Sequence, residues 1–498
     1  MNIFNERKVY PDDFPSRFSC LIEENINLLE NIFDNSSDLI IRKFSVCGYD
    51  FAAVHLENMI NKGEFNKQLL FALNNCAKLP LDPHERFDYI EQTVSSCPDQ
   101  KRSESVEQTI NLLMSGHALL FSQNVSVVLA LGVQGYPRRN ITDSNSEVTE
   151  RGSQEAFTET IRENIALIRK RMKTPDLKFK YIKIGKLSKT DVALCYIDGI
   201  VSPKILKRVE ERLSSIKIDT VLESGYLQPF LENNVYSLFT EVGNSERPDT
   251  VCGKISEGRI AILVDGTPFC LIVPYLFVEN FQNLDDYTLN PVFVSFIRLL
   301  KYFSFFLSIL LPGLYVAIGE FNPEIFPTAI FYKVVDAKTT TPFSLLWEAL
   351  IIYTIYEIMR EAGLRLPKAV GHAVSIVGAL VIGDAAVSAG LIGAPMIIIV
   401  AITALASYVV PKLYYASAIL RIIFIFIGGL AGVFGVIIGL WTVIVIICSH
   451  NSYGIPYSAP IVPFDIKSMR DTFIRMSWRK LSKKNIKIQK LKGVESEV

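Results

Sequence analysis

Ile422-Ile-Phe-Ile-Phe-Ile-Gly-Gly-Leu-Ala-Gly-Val-Phe-Gly-Val-Ile-Ile-Gly-Leu-Trp-Thr-Val-Ile-Val-Ile-Ile-Cys448 runs for 27 residues without a charged side chain. A helix needs about 20 apolar residues to cross the hydrocarbon core of a bilayer, so this run reads as a transmembrane helix. Tyr302–Gly319, with 18 uncharged residues, and Ala385–Pro411, with 27, read the same way. Thr341–Arg360 is less apolar, because Glu348 and Glu357 flank its run Leu350-Ile-Ile-Tyr-Thr-Ile355. Crossings are expected near 302–319, 343–360, 385–410 and 422–448, with 369–384 as a re-entrant or interfacial piece.

Working outward, charge sets the orientation. Arg298 and Lys301 precede the first span, and Arg360, Arg365 and Lys368 follow the second. The stretch Ile466–Lys492 holds ten basic residues, and Asp471 is its only acid. Cytoplasmic loops carry the excess of Lys and Arg, so both ends of the helical region are expected on the cytoplasmic side, with an even number of crossings. The first 30 residues carry Arg7, Lys8, Asp12, Asp13, Glu23 and Glu24 and no apolar h-region, which agrees with a cytoplasmic N-terminal half.

That half reads as soluble. Arg17–Phe33 has an apolar face at helical spacing, and apolar runs from Leu39 to Val46 and from Phe51 to Val54 flank Gly48 as strands. Helices are expected at 64–76, 84–96 and 103–114, and strands at 117–122 and 125–131. A polar linker occupies 137–153. A second unit opens with a helix expected over Glu155–Lys173, whose last turn carries Arg169, Lys170 and Arg171, cations that suit the carbonyl end of a helix. Asp265-Gly266 between two apolar runs predicts a hairpin. The fold class is an α/β soluble N-terminal half of two subdomains joined to an α-helical polytopic membrane domain. Its expected divisions are 1–140, 141–285 (with the linker at its start), 286–463, and a basic cytoplasmic tail over 464–498.

Composition excludes several functions. Lys+Arg and Asp+Glu are both 51 among 498 residues, so no nucleic-acid partner is indicated. The eight cysteines are widely spaced without a CxxC, and none of the five histidines pairs at metal-ligand spacing; reduced thiols and no metal or other cofactor are expected. The sequence has no phosphate loop, dinucleotide fingerprint or nucleophile elbow, so an enzyme is not expected.

The ionisable residues in the apolar half carry the functional interest. Glu348, Glu357 and Asp384 are costly facing lipid and should face protein or water, as an ion path or as internal salt bridges. Glu357 and Arg360 stand i, i+3 and can pair on a helix. Gly428, Gly432, Gly435 and Gly439 form two small-xxx-small pairs that permit close helix packing. Arg162, Arg169 and Arg171 are candidate contacts to another subunit or to lipid headgroups.

Several strings resemble the A subunits of spore germinant receptors of the GerA family. They are Asn35-Ser-Ser-Asp-Leu-Ile-Ile-Arg42, Glu155-Ala-Phe-Thr-Glu-Thr-Ile-Arg162 with Arg169-Lys-Arg171, and Ile262-Leu-Val-Asp-Gly-Thr-Pro268. The longest are Glu357-Ile-Met-Arg-Glu-Ala-Gly-Leu-Arg-Leu-Pro367 and Val370-Gly-His-Ala-Val-Ser-Ile-Val-Gly-Ala-Leu-Val-Ile-Gly-Asp-Ala-Ala386. The resemblance covers about residues 17–480. His372 stands where that family often has Gln, and Asp384 where it often has Gln or another polar residue. The resemblance implies a multi-pass protein of the spore inner membrane with no cofactor. It implies a nutrient-binding B subunit and a lipoprotein C subunit as partners, and a homo-oligomeric ring in lipid that forms a nutrient-gated cation channel. The rival readings are a transporter subunit and a scaffold that anchors partners without conducting ions. Inverted-repeat transporters show matching halves, and no internal repeat is legible here.

Overall fold

The structure is a computed structural model and describes residues 15–34, 36–76, 78–135, 147, 149, 151–366, 383–466, 468–481 and 487–494. Most of the expected linker and residues 369–382 of the expected re-entrant piece lie outside the described residues.

The first unit contains helices α1 (Ile22–Phe33) and α2 (Val106–Met114). Its strands are β1 (Leu39–Val46), β2 (Tyr49–Leu56), β3 (Gln100–Ser103), β4 (Ala118–Ser122) and β5 (Val128–Leu131). They form an antiparallel sheet in the order β1-β2-β4-β5-β3. Ala52, Val54, Leu119 and Phe121 face α1 and α2, while Phe51, Ala53, Leu120 and Leu129 face a second layer containing Phe65, Leu69 and Phe87. Both faces of the inner strands β2, β4 and β5 are covered, which is why these three read as continuous apolar runs.

The second unit contains α3 (Ile161–Arg171), α4 (Pro203–Ser215) and α5 (Pro248–Ser256). Its strands are β6 (Leu177–Ile184), β7 (Thr190–Ile197), β8 (Gly243–Ser245), β9 (Ile260–Val264) and β10 (Cys270–Val273), in the order β6-β7-β9-β10-β8. This is the strand order of the first unit, in the same antiparallel sense. The two units therefore repeat one topology, a repeat invisible in the residues. The Asp265-Gly266 hairpin forms as expected, with Leu271 opposite Ile262 and Gly266 at φ +92°.

Helix α3 begins six residues later than the expected start at Glu155. Thr158 N–H donates to Asn164 Oδ1 (2.7 Å), and Ile161 N–H donates to Asp265 Oδ1 (3.0 Å). The cap of α3 is thus supplied by the hairpin turn 104 residues away, and residues 155–160 stay non-helical to meet it.

The longer helices that follow among the described residues are α6 (Pro291–Phe321), α7 (Thr328–Thr340), α8 (Leu345–Arg365), α9 (Ala394–Val409) and α10 (Tyr414–Ser449). By length and composition, Pro291–Phe321 and Pro411–Ser449 suffice to cross a membrane, and α7 with α8 would make a third span if counted together, bent by 83°. The expected third span is shorter than the sequence suggested. Gly390 turns with φ +67°, and α9 has only 16 residues, about 24 Å at 1.5 Å per residue.

The expected last span is also corrected. Within α10, Gly432 has φ +62° and ψ −158°, which no helix contains. A Cβ built on Gly439 would lie 3.0 Å from Phe424 and 3.3 Å from Ile427. Residues 12 to 15 apart in a straight helix would stand roughly 18–22 Å apart along its axis. Residues 414–431 and 433–449 therefore fold back on one another as a helical hairpin, turning at Gly432.

The first limb runs alongside α6. Arg421 Nε donates to Ser308 O (3.0 Å), and a Cβ on Gly432 would meet Phe321 at 3.3 Å. Both ends of the hairpin return to the soluble units: Lys412 lies 3.5 Å from Glu147, and His450 lies 3.3 Å from Glu241. The chain after the hairpin also differs from a free tail. Tyr453, Ile455, Ala459, Ile488 and Leu491 enter the core of the second unit, and Ile488 N–H donates to Glu257 O (3.0 Å).

Candidate functional site: buried charge in the helical half

Glu357 is the most connected acid of the apolar half. It sits three turns along α8, one residue before Ile358, and its carboxylate accepts from Tyr414 Oη at 2.8 and 2.9 Å and from Arg360 Nε at 3.1 Å. The i, i+3 pair with Arg360 is formed, and the Arg360 guanidinium lies over the Tyr414 ring at 3.8 Å. Arg421, which is 1% exposed, brings Nη1 to 3.6 Å from Glu357 Oε1. Its Nε holds Ser308 O, and its plane lies 5.2 Å from the Tyr353 ring. One carboxylate and one guanidinium thus tie α8, the first limb of α10, and α6 together. Arg421 has few hydrogen-bond partners for a buried cation, since neither Nη has a hydrogen-bond acceptor among the described residues.

Glu348 is 1% exposed and accepts the Gly393 N–H at 2.6 Å, at the entry to α9. It stands nine residues from Glu357 on α8, about 13 Å along the axis. The two acids share no partner among the described residues. Asp384 is exposed in the helical stretch 383–388.

The glycines divide by role. A Cβ on Gly428 would collide with the Gly313 carbonyl, and one on Gly313 would lie 2.5 Å from Phe424 O. Gly313 and Gly428 therefore form the close contact between α6 and α10. Gly432 is the turn. Gly435 and Gly439 face the preceding limb of their own hairpin. The fold-back sends the two glycine pairs to different partners, Gly428 to α6 and Gly435 and Gly439 to the first limb of the hairpin.

The three candidate arginines lie at the soluble units. Arg169 is 0% exposed and grips Asp38 with Nε (2.9 Å) and Nη2 (3.0 Å), and further Arg169 bonds reach Thr174 O and Leu177 O. Arg162 pairs with Glu57 at 3.2 Å, and Arg171 with Glu155 at 2.6 Å. Arg169 and Arg162 therefore join the first unit to the second within the chain. Arg169 offers no surface to a headgroup or another subunit, because burying a guanidinium demands a fixed internal acceptor set.

Arg298 and Lys301, read as loop cations, are buried too. Arg298 donates to Asp286 Oδ2 (2.7 Å) and Asp471 Oδ1 (2.8 Å), and Lys301 donates to Phe281 O (3.2 Å). Nearby, Glu279 accepts from Lys254 Nζ (2.6 Å) and pairs with Arg259. Burial pushes the Glu279 carboxyl up, but these two cations more than offset it and hold it below the usual carboxylate range.

Sequence reasoning missed Arg421, Tyr414 and Gly313. Arg421 did carry a signal: it is a lone cation between two apolar stretches, Leu413–Leu420 and the run from Ile422.

The family model for the Bacillus/Clostridium GerA spore germination protein matches residues 27–486. The chain belongs to the GerA family. Among GerA relatives, spore germination protein KA of Bacillus subtilis (strain 168) is 37% identical over 469 residues, covering 93% of this chain and 86% of that protein. Spore germination protein GerLA of Bacillus cereus is 35% identical over 369 residues, covering 74% of this chain and 75% of that one. The crystal structure of the N-terminal domain of the A subunit of the Bacillus megaterium spore germinant receptor GerK3 aligns with a TM-score of 0.41 at 34% identity. It covers 53% of this chain and 98% of that chain. These relatives are spore germination proteins, and the helical half of this GerA-family chain holds helices long and apolar enough to cross a membrane.

Proposed function

We propose that the chain is the A subunit of a nutrient germinant receptor in the spore inner membrane. It couples nutrient binding on a B subunit to germination by opening a cation path in a homo-oligomeric ring, with a lipoprotein C subunit in the complex. Both termini face the spore core. The observation that carries this reading is the Glu357–Arg421 pair. It joins three helices across apolar surroundings, where a charge without a partner is costly, so the helices have a reason to hold one arrangement until the pair is rearranged. A nutrient-bound partner shifts that arrangement only by its differential affinity for the two states. Glu348 and Asp384 are further candidate groups along the path.

The test is potassium release from dormant spores in the first minutes after nutrient addition. Spores carrying this chain are compared with spores lacking it and with Arg421→Gln and Glu357→Gln at equal receptor abundance. Release that vanishes on deletion, and changes in both variants with assembly intact, supports the channel subunit. Lost assembly in the variants supports a scaffold, and unchanged release throughout overturns the receptor reading.

A further inference from the structure

Helix α6 has 31 residues, about 46 Å, whereas a hydrocarbon core is about 30 Å thick. Roughly its first ten residues therefore project beyond the core, on the side of the soluble units. That projection is amphipathic in an unusual sense. Its inward side carries Arg298 and Lys301, buried against Asp286 and Asp471. Its outward side carries Val292, Phe293, Phe296 and Leu299, which are between 52% and 80% exposed.

The segment 474–481 is fixed beside this projection. Arg475 N–H donates to Ser295 Oγ on α6 (3.0 Å), and Trp478 Nε1 donates to Tyr287 O (3.0 Å). The Arg475 guanidinium lies 5.3 Å from the Trp478 ring. The anchored indole keeps 58% of its surface exposed, and Ile474 keeps 60%. Arg479 and Lys480 follow Trp478 directly and are exposed.

We propose that Ile474, Trp478, Arg479 and Lys480, with the outward face of α6, form a docking site for the anionic phosphate headgroups of the bilayer. The aromatic and aliphatic groups enter the interface, and the two cations meet lipid phosphate. Tryptophan belongs at headgroup depth, where its ring is apolar and its N–H is satisfied, as it is here by Tyr287. Long cationic side chains lay their stems on apolar surface and extend their charge to the headgroups, and juxtamembrane cations draw anionic lipid. The charges favour lipid over a second copy of the chain as the occupant, since headgroup phosphate supplies counter-charge to two exposed cations that a protein interface would have to desolvate. The site rests on the membrane reading of the helical half and adds to it a fixed depth and a headgroup preference.

The chain has three tryptophans, Trp347, Trp441 and Trp478, which makes the test spectroscopic. The full chain is reconstituted as two single-tryptophan forms, retaining Trp478 or Trp441, in nanodiscs of phosphatidylcholine mixed with phosphatidylglycerol. Either the zwitterionic or the anionic lipid is brominated high on its acyl chain. The expected result is quenching of Trp478, stronger when the anionic lipid carries the bromine. Arg479→Gln with Lys480→Gln, exposed changes that leave the fold intact, should reduce that preference by roughly tenfold. Trp441 is 64% exposed in the second limb of the hairpin and reports on the membrane reading separately. Trp441 quenched with Trp478 untouched overturns the headgroup site alone, and neither quenched overturns both. Trp478 quenched equally by both lipids overturns the anionic preference.

Discussion

Arg169 and Asp38 are 131 residues apart in sequence, yet their guanidinium and carboxylate meet through two hydrogen bonds, with both side chains almost wholly buried. Around them, Phe179 N–H donates to Ser36 Oγ (3.0 Å) and Lys178 Nζ to Ile32 O (3.0 Å). The two soluble units are locked through the edge strand of the second. Removing one partner leaves a buried charge, so Arg169→Met should lower stability by about 3–5 kcal/mol in denaturant unfolding, whereas adding Asp38→Leu to it should recover much of the loss. A double variant no better than the single would show that the pair itself, and not the stranded carboxylate, carries the stability.

The close approach of α6 and α10 makes a second prediction. Gly428→Ala places a methyl group against the Gly313 carbonyl, and neither backbone has a flexible end to move. A loss of about 1–3 kcal/mol is expected, read as a lower melting temperature of the chain in detergent. Gly253→Ala, where a Cβ meets nothing within 4 Å and the residue is inside helix α5, is the control: it should not lower the melting temperature and should raise it slightly, since alanine favours a helix over glycine.

The turn at Gly432 is testable by chemistry. Cysteines replacing Phe424 and Gly439 should be bridged by a short bifunctional thiol reagent, because a Cβ on Gly439 meets the ring of Phe424 across the hairpin. Gly432→Ala forces a side chain into a backbone region used almost only by glycine, at a cost of order 1–3 kcal/mol, and should reduce the cross-linked fraction. A straight helix would give no cross-link in either background.

Acid should weaken the chain through Glu279. Its folded-state pKa is held below its unfolded value of 4.5, so its contribution is present above that value and lost as pH falls through the folded pKa. Melting temperature measured downward from neutral pH should fall through the acid range, and Glu279→Gln should start lower and fall less. An identical slope in the variant would place the acid sensitivity elsewhere.

Local chemistry was legible from the sequence and tertiary chemistry was not. The Asp265-Gly266 hairpin follows from two residues that favour positive φ, and the Glu357–Arg360 pair follows from helical spacing. The start of α3 was misread because its cap comes from Asp265, far along the chain. The short strands β3 and β8 were missed because three or four residues with little apolar pattern carry no period. The run 422–448 hid a turn because glycine is common in apolar helices, and only contacts between Gly439 and Phe424 distinguish a hinge from a packing face. Arg298 was read as a loop cation because its acids, Asp286 and Asp471, lie on either side of the entire helical region.

The return of Ile488 and Leu491 to the core of the second unit has a consequence for how the protein is made. At about 5–20 residues per second the ribosome finishes β10 well before it reaches these residues, and every apolar helix is synthesised in between. Until then the second unit keeps one apolar edge uncovered, facing Tyr453, Ile455 and Ala459 as they arrive. Completion of the soluble core thus waits on correct placement of the hairpin, so a chain with a misplaced helix reveals itself by an unsealed core in the aqueous compartment, where quality control can act on it.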